Sequence, residues 1–181
     1  MTIKQQIVIS GVGGQGVLFV TRLLAEAAMM KGFPVLTSET HGMAQRGGTV
    51  VSHLKIGDFS SPLIRPFTAD GLLALKPESL TLHGGFVRPG GWAVINGSQP
   101  LQEYGELMVS LVDADTLARG IGNLKSINLI MLGAALSRLS ATKDLLFCTL
   151  ADIQAVLNTQ VSGAPSKLEK LSAAIGAGYR G

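Results

Sequence analysis

The chain has 181 residues, of which 46% are hydrophobic and 15% are charged. That length suits one domain, and the apolar content excludes a disordered chain because it is ample to build a core. The net charge is +3, but the fifteen Lys and Arg residues are spread along the chain with few aromatics beside them, which argues against nucleic-acid binding.

Cysteine and histidine usage limits the chemistry of the chain. Its single cysteine, Cys148, cannot by itself form a disulfide, ligate an iron–sulfur cluster or build a cysteine-based zinc site. The histidines His41, His53 and His83 lack metal-ligand spacing, so we expect no metal site. Apolar runs fall short of the ~20 residues of a spanning helix, and no secretory leader is visible at the N-terminus. We therefore expect a cytoplasmic protein without membrane contact.

The N-terminal third has the pattern of a strand–helix–strand unit. An apolar run at 6–10 predicts a buried strand, and a glycine loop at 11–16 follows it. Helical spacing then continues over 15–30, and residues 34–38 predict a second strand. The helix between these strands predicts a crossover to a parallel neighbour. A polar loop with several glycines occupies residues 39–48.

The rest of the chain continues this alternation. The pattern predicts strands at 49–56, 71–75, 91–95 and 108–112, a weak helix from residue 77 and a short helix at 116–120. Residues 126–139 have helical spacing but are apolar on nearly every side, which indicates burial by the chain's own core or by another subunit. Low charge also favours a covered surface, so we expect the isolated chain to self-associate or to bind a larger partner.

Two further helices are predicted at the C-terminus. Each begins with a spacing typical of a capping box, Thr149 to Asp152 in one and Ser166 to Glu169 in the other. Strands alternating with helices predict an α/β fold, a Rossmann-like three-layer sandwich with a mainly parallel sheet. We expect residues 1–181 to form one domain on which the helices of 149–177 pack.

The loop Gly11-Val-Gly-Gly-Gln-Gly16 has the spacing of a dinucleotide-binding fingerprint. Such glycines let backbone N–H groups approach a phosphate at a helix N-terminus. They are equally able to serve only as a sharp turn from strand to helix. Both interpretations stay open from this pattern alone.

The polar loop at 39–48 predicts a second functional element. Glu39 could be the acid that contacts a ribose in NAD-binding proteins, but the following Gln45, Arg46 and Gly47 are unlike the edge of an adenosine pocket. Because both loops should leave the carboxyl edge of the sheet, we expect them to face one crevice. Arg46 could grip a carboxylate or phosphate with its guanidinium, or form a salt bridge to Glu39.

No catalytic set of nucleophile, base and orienting group can be assembled from the remaining residues. His41 could act as an acid or base, although a hydrogen-bonding role is the simpler interpretation. We interpret His53 and His83 as structural and Cys148 as a small buried hydrophobe. Two residues at strand ends could contact a ligand or only form turns and caps, namely Asn96 and Asp113.

The two loops together carry a family resemblance. Gly11-Val-Gly-Gly-Gln-Gly-Val17 and Glu39-Thr-His-Gly-Met-Ala-Gln-Arg-Gly-Gly-Thr49 closely resemble the gamma subunit or domain of 2-oxoacid:acceptor oxidoreductases. That group includes the pyruvate:ferredoxin enzymes and the small subunit of indolepyruvate:ferredoxin oxidoreductase. Later segments follow the same family in the same order: Asp70-Gly-Leu-Leu-Ala-Leu75, Pro89-Gly-Gly-Trp-Ala-Val-Ile-Asn96, Val112-Asp-Ala-Asp-Thr116 and Asn128-Leu-Ile-Met-Leu-Gly-Ala134. The resemblance covers about residues 5–140, and the final stretch is less typical.

The resemblance implies a subunit that is inactive alone. In the family, thiamine diphosphate and iron–sulfur clusters are held by other, larger subunits, and the assembled enzyme converts a 2-oxoacid to an acyl-CoA while reducing ferredoxin. It implies that the two glycine loops line the subunit interface or the approach of coenzyme A, through Gly11, Gly13, Gly14, Gln15, Gly16, Gln45, Arg46 and Gly47. The alternatives are a free-standing NAD- or nucleotide-binding oxidoreductase and a ligand-free scaffold domain.

Overall fold

The computed structural model of the protein describes residues 3–41, 48–99, 105–140, 142 and 146–181. Its strands are β1 (Gln5–Val12), β2 (Val35–His41), β3 (Thr49–Ile56), β4 (Ala69–Ala74), β5 (Val87–Asn96) and β6 (Met108–Val112). Its α-helices are α1 (Val17–Met30), α2 (Glu78–His83), α3 (Ala114–Gly120), α4 (Ile127–Ser140), α5 (Leu150–Gln160) and α6 (Pro165–Arg180). Short 3₁₀ turns, absent from the sequence prediction, occupy Gly84–Phe86 and Leu124–Ser126.

The strands form one six-stranded sheet in the order β2-β3-β1-β4-β5-β6. Strand β3 runs antiparallel to both of its neighbours, whereas β1, β4, β5 and β6 pair in parallel. With helices on both faces, the predicted α/β architecture and mainly parallel sheet are confirmed.

The prediction that the second strand is the parallel neighbour of the first is wrong. Strand β3 lies between β1 and β2, although β1 and β2 do run in the same direction. The physical reason lies in their side chains. Strand β3 is buried over nearly its whole length, while the polar β2 is half-exposed and therefore suits the edge of the sheet.

Helices α1, α3, α4, α5 and α6 lie on one face of the sheet, which we call the helical face. Helix α4 lies between the central strands and α6, and glycines bring the two helices close together. A Cβ atom on Gly133 would overlap the backbone carbonyl of Ile175, and one on Gly178 would overlap that of Ile130. The apolar surface of α4 is therefore buried by the chain's own core.

The opposite face has a smaller core and a thinner cover, and we call it the thin face. It consists of residues 57–68, helix α2 and the turn at Gly84–Phe86. Beneath them lies a compact apolar cluster that includes Val8, Leu72 and Ile95.

The two predicted caps have different outcomes. The Thr149 hydroxyl accepts from the N–H of Asp152, and the Asp152 carboxylate accepts from the N–H of Thr149 at 2.7 Å, so this capping box is confirmed. Ser166 does not cap α6. That helix begins one residue earlier, at Pro165, because proline is well suited to the first helical position, and Ala164 precedes it without a side-chain cap.

Candidate functional site

The loop from β1 to α1 turns through two left-handed glycines at the carboxyl edge of the sheet. Gly14 has φ +87° and Gly16 has φ +82°, a region in which other residues are strained. Gly13 is not in that region, and its N–H donates to the carbonyl of Gly48 at 3.0 Å. Because Gly13 and Gly14 are both exposed, the tip of this glycine loop faces a potential partner or ligand.

The side chain of Gln15 braces the glycine loop from inside. Its Oε1 accepts from the N–H of Val12 at 2.9 Å, and its Nε2 donates to the carbonyl of Leu75 at 3.4 Å. Gly11 leaves room for this brace, since a Cβ atom there would lie 2.8 Å from the Gln15 Oε1. Gly11 and Gln15 therefore hold the loop between β1 and β4.

Asn128 is a second brace, which the sequence interpretation did not include among the site residues. It is buried at the start of α4, where its Nδ2 donates to the carbonyl of Gly16 at 3.4 Å and its Oδ1 accepts from the N–H of Leu129 at 2.9 Å. A Cβ atom on Gly16 would overlap the Asn128 amide. A polar residue inside an otherwise apolar helix was the available signal.

A pocket of about 400 Å³ opens at the glycine loop. The side chains lining it are apolar, and its glycines expose backbone. The lining comprises Val12, Gly13, Gly14, Gly16, Val17, Leu18, Phe19 and Val50. The first N–H groups of α1 have no acceptor within the helix, so backbone donors begin beside the apolar wall of the pocket.

The second predicted loop meets the first at its described end. Gln45, Arg46 and Gly47 lie outside the described residues, as does the side chain of His41. Gly48 is described, and its carbonyl accepts from Gly13. This contact agrees with the expectation that both loops leave the same edge of the sheet.

The position of Glu39 gives no support to NAD binding in the usual mode. In the sheet register Glu39 is opposite Ser52 of β3, and Ser52 is opposite Ile9 of β1. Since adjacent strands are about 4.8 Å apart, Glu39 lies about 10 Å from the strand that carries the glycine loop. In a dinucleotide-binding fold the acidic residue follows a strand directly beside the first.

His53 and His83 pack against Phe86 beneath the thin face. His53 Nδ1 accepts from the N–H of Ile64 at 3.2 Å, and His83 Nδ1 lies 2.8 Å from the Ser10 hydroxyl. Burial is the main cause that lowers the pKa of both histidines, and for His53 the charge of His83 also contributes. These contacts agree with the structural roles predicted for both residues.

The other candidates also have structural contacts. Cys148 is buried, and burial raises the pKa of its thiol to about 12, so it is not a thiolate nucleophile at neutral pH. Asn96 accepts from the N–H of Ala114 at 3.1 Å and donates to Asp115 at 2.9 Å. Asp113 caps α3 by accepting from the N–H of Thr116 at 3.0 Å, a bond that lowers its carboxyl pKa.

The residues that the structure describes contain neither a metal-binding cluster nor a membrane-spanning helix. Within those ranges, His, Cys, Asp and Glu side chains do not come together in any group of three or more that could hold a metal ion. No helix in the described part of the chain has both the length and the apolar content needed to cross a bilayer.

Known proteins resemble this chain over most of its length. The sequence model of the family described as pyruvate ferredoxin/flavodoxin oxidoreductase matches residues 6–180. Indolepyruvate oxidoreductase subunit IorB of Archaeoglobus fulgidus is 34% identical over 150 residues, covering 72% of this chain and 75% of that protein. The subunit of the same name from Methanothermobacter thermautotrophicus is 32% identical over 151 residues, covering 71% and 76%.

Solved structures share the fold. The gamma subunit of a keto/oxoacid ferredoxin oxidoreductase from Geobacter sulfurreducens aligns with a TM-score of 0.75 at 22% identity, over 97% of this chain and 96% of that one. A chain of the 2-oxoglutarate:ferredoxin oxidoreductase from Magnetococcus marinus, solved with 2-oxoglutarate, coenzyme A and succinyl-CoA, aligns with a TM-score of 0.81 at 20% identity. The alignment covers 99% of this chain but only 31% of that one.

Proposed function

The chain belongs to the pyruvate ferredoxin/flavodoxin oxidoreductase family, and we propose that it is the small, non-cofactor-bearing subunit of a 2-oxoacid:ferredoxin oxidoreductase. The observation that carries the proposal is similarity to subunits of such enzymes over about 72% of the chain, within a family match that spans residues 6–180. The assembled enzyme would oxidatively decarboxylate a 2-oxoacid to an acyl-CoA and pass the electrons to ferredoxin. Thiamine diphosphate and the iron–sulfur clusters would be held by the larger subunits.

We infer that the substrate is an aromatic 2-oxoacid such as indolepyruvate. Four relatives at 31–34% identity are indolepyruvate oxidoreductase subunits, and each match covers about three quarters of the relative. The ketoisovalerate and pyruvate/ketoisovalerate relatives match over shorter alignments of 134–135 residues. The small subunit would leave the choice of 2-oxoacid to the larger chain.

The glycine-loop pocket would face the larger subunit and help to admit coenzyme A. The residues present fit parts of that molecule. The N–H groups at the start of α1, which have no acceptor within the helix, suit a phosphate, and the apolar side chains of Leu18 and Phe19 suit the pantetheine arm. Arg46 of the second loop would add a guanidinium for a phosphate or for a partner's carboxylate.

Exposed apolar side chains on the thin face support a covering partner. Leu63, Phe67 and Leu82 are each more than half exposed, although apolar residues of this size are favoured in the interior. Because α6 covers α4, we expect self-association or partner binding to involve these exposed residues and not α4. The larger subunit would cover them in the assembled enzyme.

The test is reconstitution of the enzyme from separate chains. The purified small chain should contain no stoichiometric iron or sulfide and should show no turnover. Mixed with the larger chain, it should co-purify and support CoA-dependent, ferredoxin-reducing oxidation of indolepyruvate in preference to pyruvate. Turnover by the small chain alone, or full activity of the larger chain without it, would overturn the proposal.

A further inference from the structure

A second pocket lies at the amino edge of the sheet, at the opposite end of the strands from the glycine loop. Its volume is about 210 Å³, and it forms where residues 57–68 cross the thin face. Lys55, near the end of β3, is opposite Gln6 in the sheet register, close to the start of β1. The lining consists of Gln6, Lys55, Phe59, Ser60, Ser61, Leu63, Arg65 and Thr68.

Lys55 is an unusual residue to find inside the protein. It is only 7% exposed, on a strand between two others. Among the described residues its ammonium group has no hydrogen-bond acceptor and no carboxylate partner. The ammonium group lies over the aromatic ring of Phe59, and Nζ is 5.0 Å from the ring centroid. The side chain is covered, but its ammonium group keeps access to solvent at the pocket, so an anion that enters the pocket can reach a cation that has no counter-ion within the described ranges.

The surroundings of Lys55 add positive charge. Arg65 lines the same pocket, and its guanidinium has no carboxylate partner in the described ranges. Lys4 also lies over Phe59, with Nζ 5.3 Å from the ring centroid. Burial first, and then the charge of Arg65, lowers the pKa of Lys55. The local field therefore favours an anion.

Nearby carboxylates do not neutralise these cations. Asp70 accepts from Arg88 Nε at 3.1 Å and from the N–H of Gln6 at 2.8 Å. Asp58 is exposed and is not one of the residues that line the pocket. Lys55 and Arg65 thus remain as two positive charges at one small cavity.

We propose that this pocket binds a phosphate group. Two cations match the two negative charges that a phosphate carries near neutral pH, whereas a carboxylate would leave one of them uncompensated. A guanidinium, an ammonium group and the hydroxyls of Ser60 and Ser61 are donors typical of phosphate sites. At about 210 Å³ the cavity is smaller than the roughly 300–1,000 Å³ of sites that enclose a whole ligand. It therefore suits a single charged group.

The phosphate could be free or could be the end of a larger molecule, and bound there it would tie residues 57–68 to the sheet. Calorimetric titration of the full chain at pH 7.5 and constant ionic strength, with inorganic phosphate and separately with glycerol 3-phosphate, distinguishes these sources. Binding of glycerol 3-phosphate at least as tight as that of inorganic phosphate identifies the end of a larger molecule. Tighter binding of inorganic phosphate identifies the free anion.

Two variants and a matched control test the assignment of residues. Lys55→Met keeps an unbranched side chain without its charge, and Arg65→Gln changes a residue that is exposed. Each should weaken phosphate binding at least tenfold. Lys170→Met removes an exposed lysine from α6, on the helical face, and should leave the affinity unchanged.

Three results would overturn the proposal. One is the absence of saturable phosphate binding in the unmodified chain. Another is unchanged phosphate affinity in either Lys55→Met or Arg65→Gln. The third is acetate binding as tight as phosphate binding, which would show that the pocket does not select the dianion.

Discussion

The two faces of the sheet differ in the size of the core that lies on them and in the elements that cover it. On the helical face, five helices enclose a large core, and α4 and α6 approach so closely that glycines are needed where they touch. On the thin face, a six-residue helix and irregular segments cover a smaller cluster. His41 is in β2, His53 and Lys55 are in β3, and His83 is in α2, so none of these residues is in a helix of the helical face.

The comparison changes where a partner surface should be sought. The apolar helix at 126–139 and the low charge content both suggested that another subunit covers the chain. The first signal is explained within the chain, because α6 packs on α4. The second agrees with apolar side chains that are exposed on both sides of the sheet, such as Phe67 on the thin face at 66% and Met30 of α1 at 61%. A helix that is apolar all round therefore does not by itself indicate an interface.

The largest expected difference between the faces concerns leucine truncation. Leu132 in the helical core and Leu80 in the thin core are both almost completely buried. Leu80 also lines an open groove of about 550 Å³, so water can enter the space that a truncation leaves. We expect Leu132→Ala to cost about 4 kcal/mol and Leu80→Ala about 2 kcal/mol in the free energy of unfolding, measured in urea. Equal losses would mean that the two cores are packed alike.

A smaller loss is expected from a single methyl group at the contact between α4 and α6. Gly178→Ala would place a Cβ atom into the carbonyl of Ile130, and we expect a destabilisation of about 2 kcal/mol, despite the higher helix propensity of alanine. Gly120→Ala is the matched control, because a Cβ atom there meets open space. If both variants unfold at the same urea concentration, the close approach of the two helices is not a constraint.

The smallest effect is a pH dependence that belongs to the thin face. The pKa values of His53 and His83 are lowered by burial from the ordinary 6.5, so the unfolded chain binds more protons below about pH 6.5. Stability should therefore be complete above pH 6.5 and should fall as the pH drops towards the lowered values. Urea unfolding at pH 7.5 and 5.5 measures the difference. His53→Asn, which can keep an acceptor for Ile64, should reduce it, and an unchanged pH dependence would exclude His53 as its source.

Much of the fold could be predicted because hydrophobic periodicity is local. The predicted strands at 49–56 and 108–112 have the bounds of β3 and β6, and the Thr149 capping box is present. The direction and position of β3 could not be predicted, because an apolar run does not encode which neighbours a strand will pair with. The start of α6 was misplaced because a favourable proline outweighed a serine one residue later.

The site could be predicted only where the backbone itself is unusual. The glycine spacing marked the loop that contains the left-handed Gly14 and Gly16. The braces from Gln15 and Asn128 depend on contacts with Leu75 and with the loop that only the folded chain creates. The low exposure of Lys55 could not be predicted either, because a lysine in a strand is ordinarily expected to face solvent.

The central claim is that the glycine-loop edge acts on the assembled enzyme rather than on the fold, and Gly13→Ala tests it most directly. Among the residues that the structure describes, the atom nearest to a Cβ on Gly13 would be the Gly48 carbonyl oxygen, at 3.9 Å. We therefore expect the free energy of unfolding of the isolated chain to change by less than about 0.5 kcal/mol. CoA-dependent 2-oxoacid oxidation by the reconstituted complex should fall about tenfold, equivalent to about 1.4 kcal/mol, while Gly120→Ala leaves it unchanged. Normal turnover and normal assembly of the Gly13→Ala subunit would contradict the claim and reduce the loop to a turn.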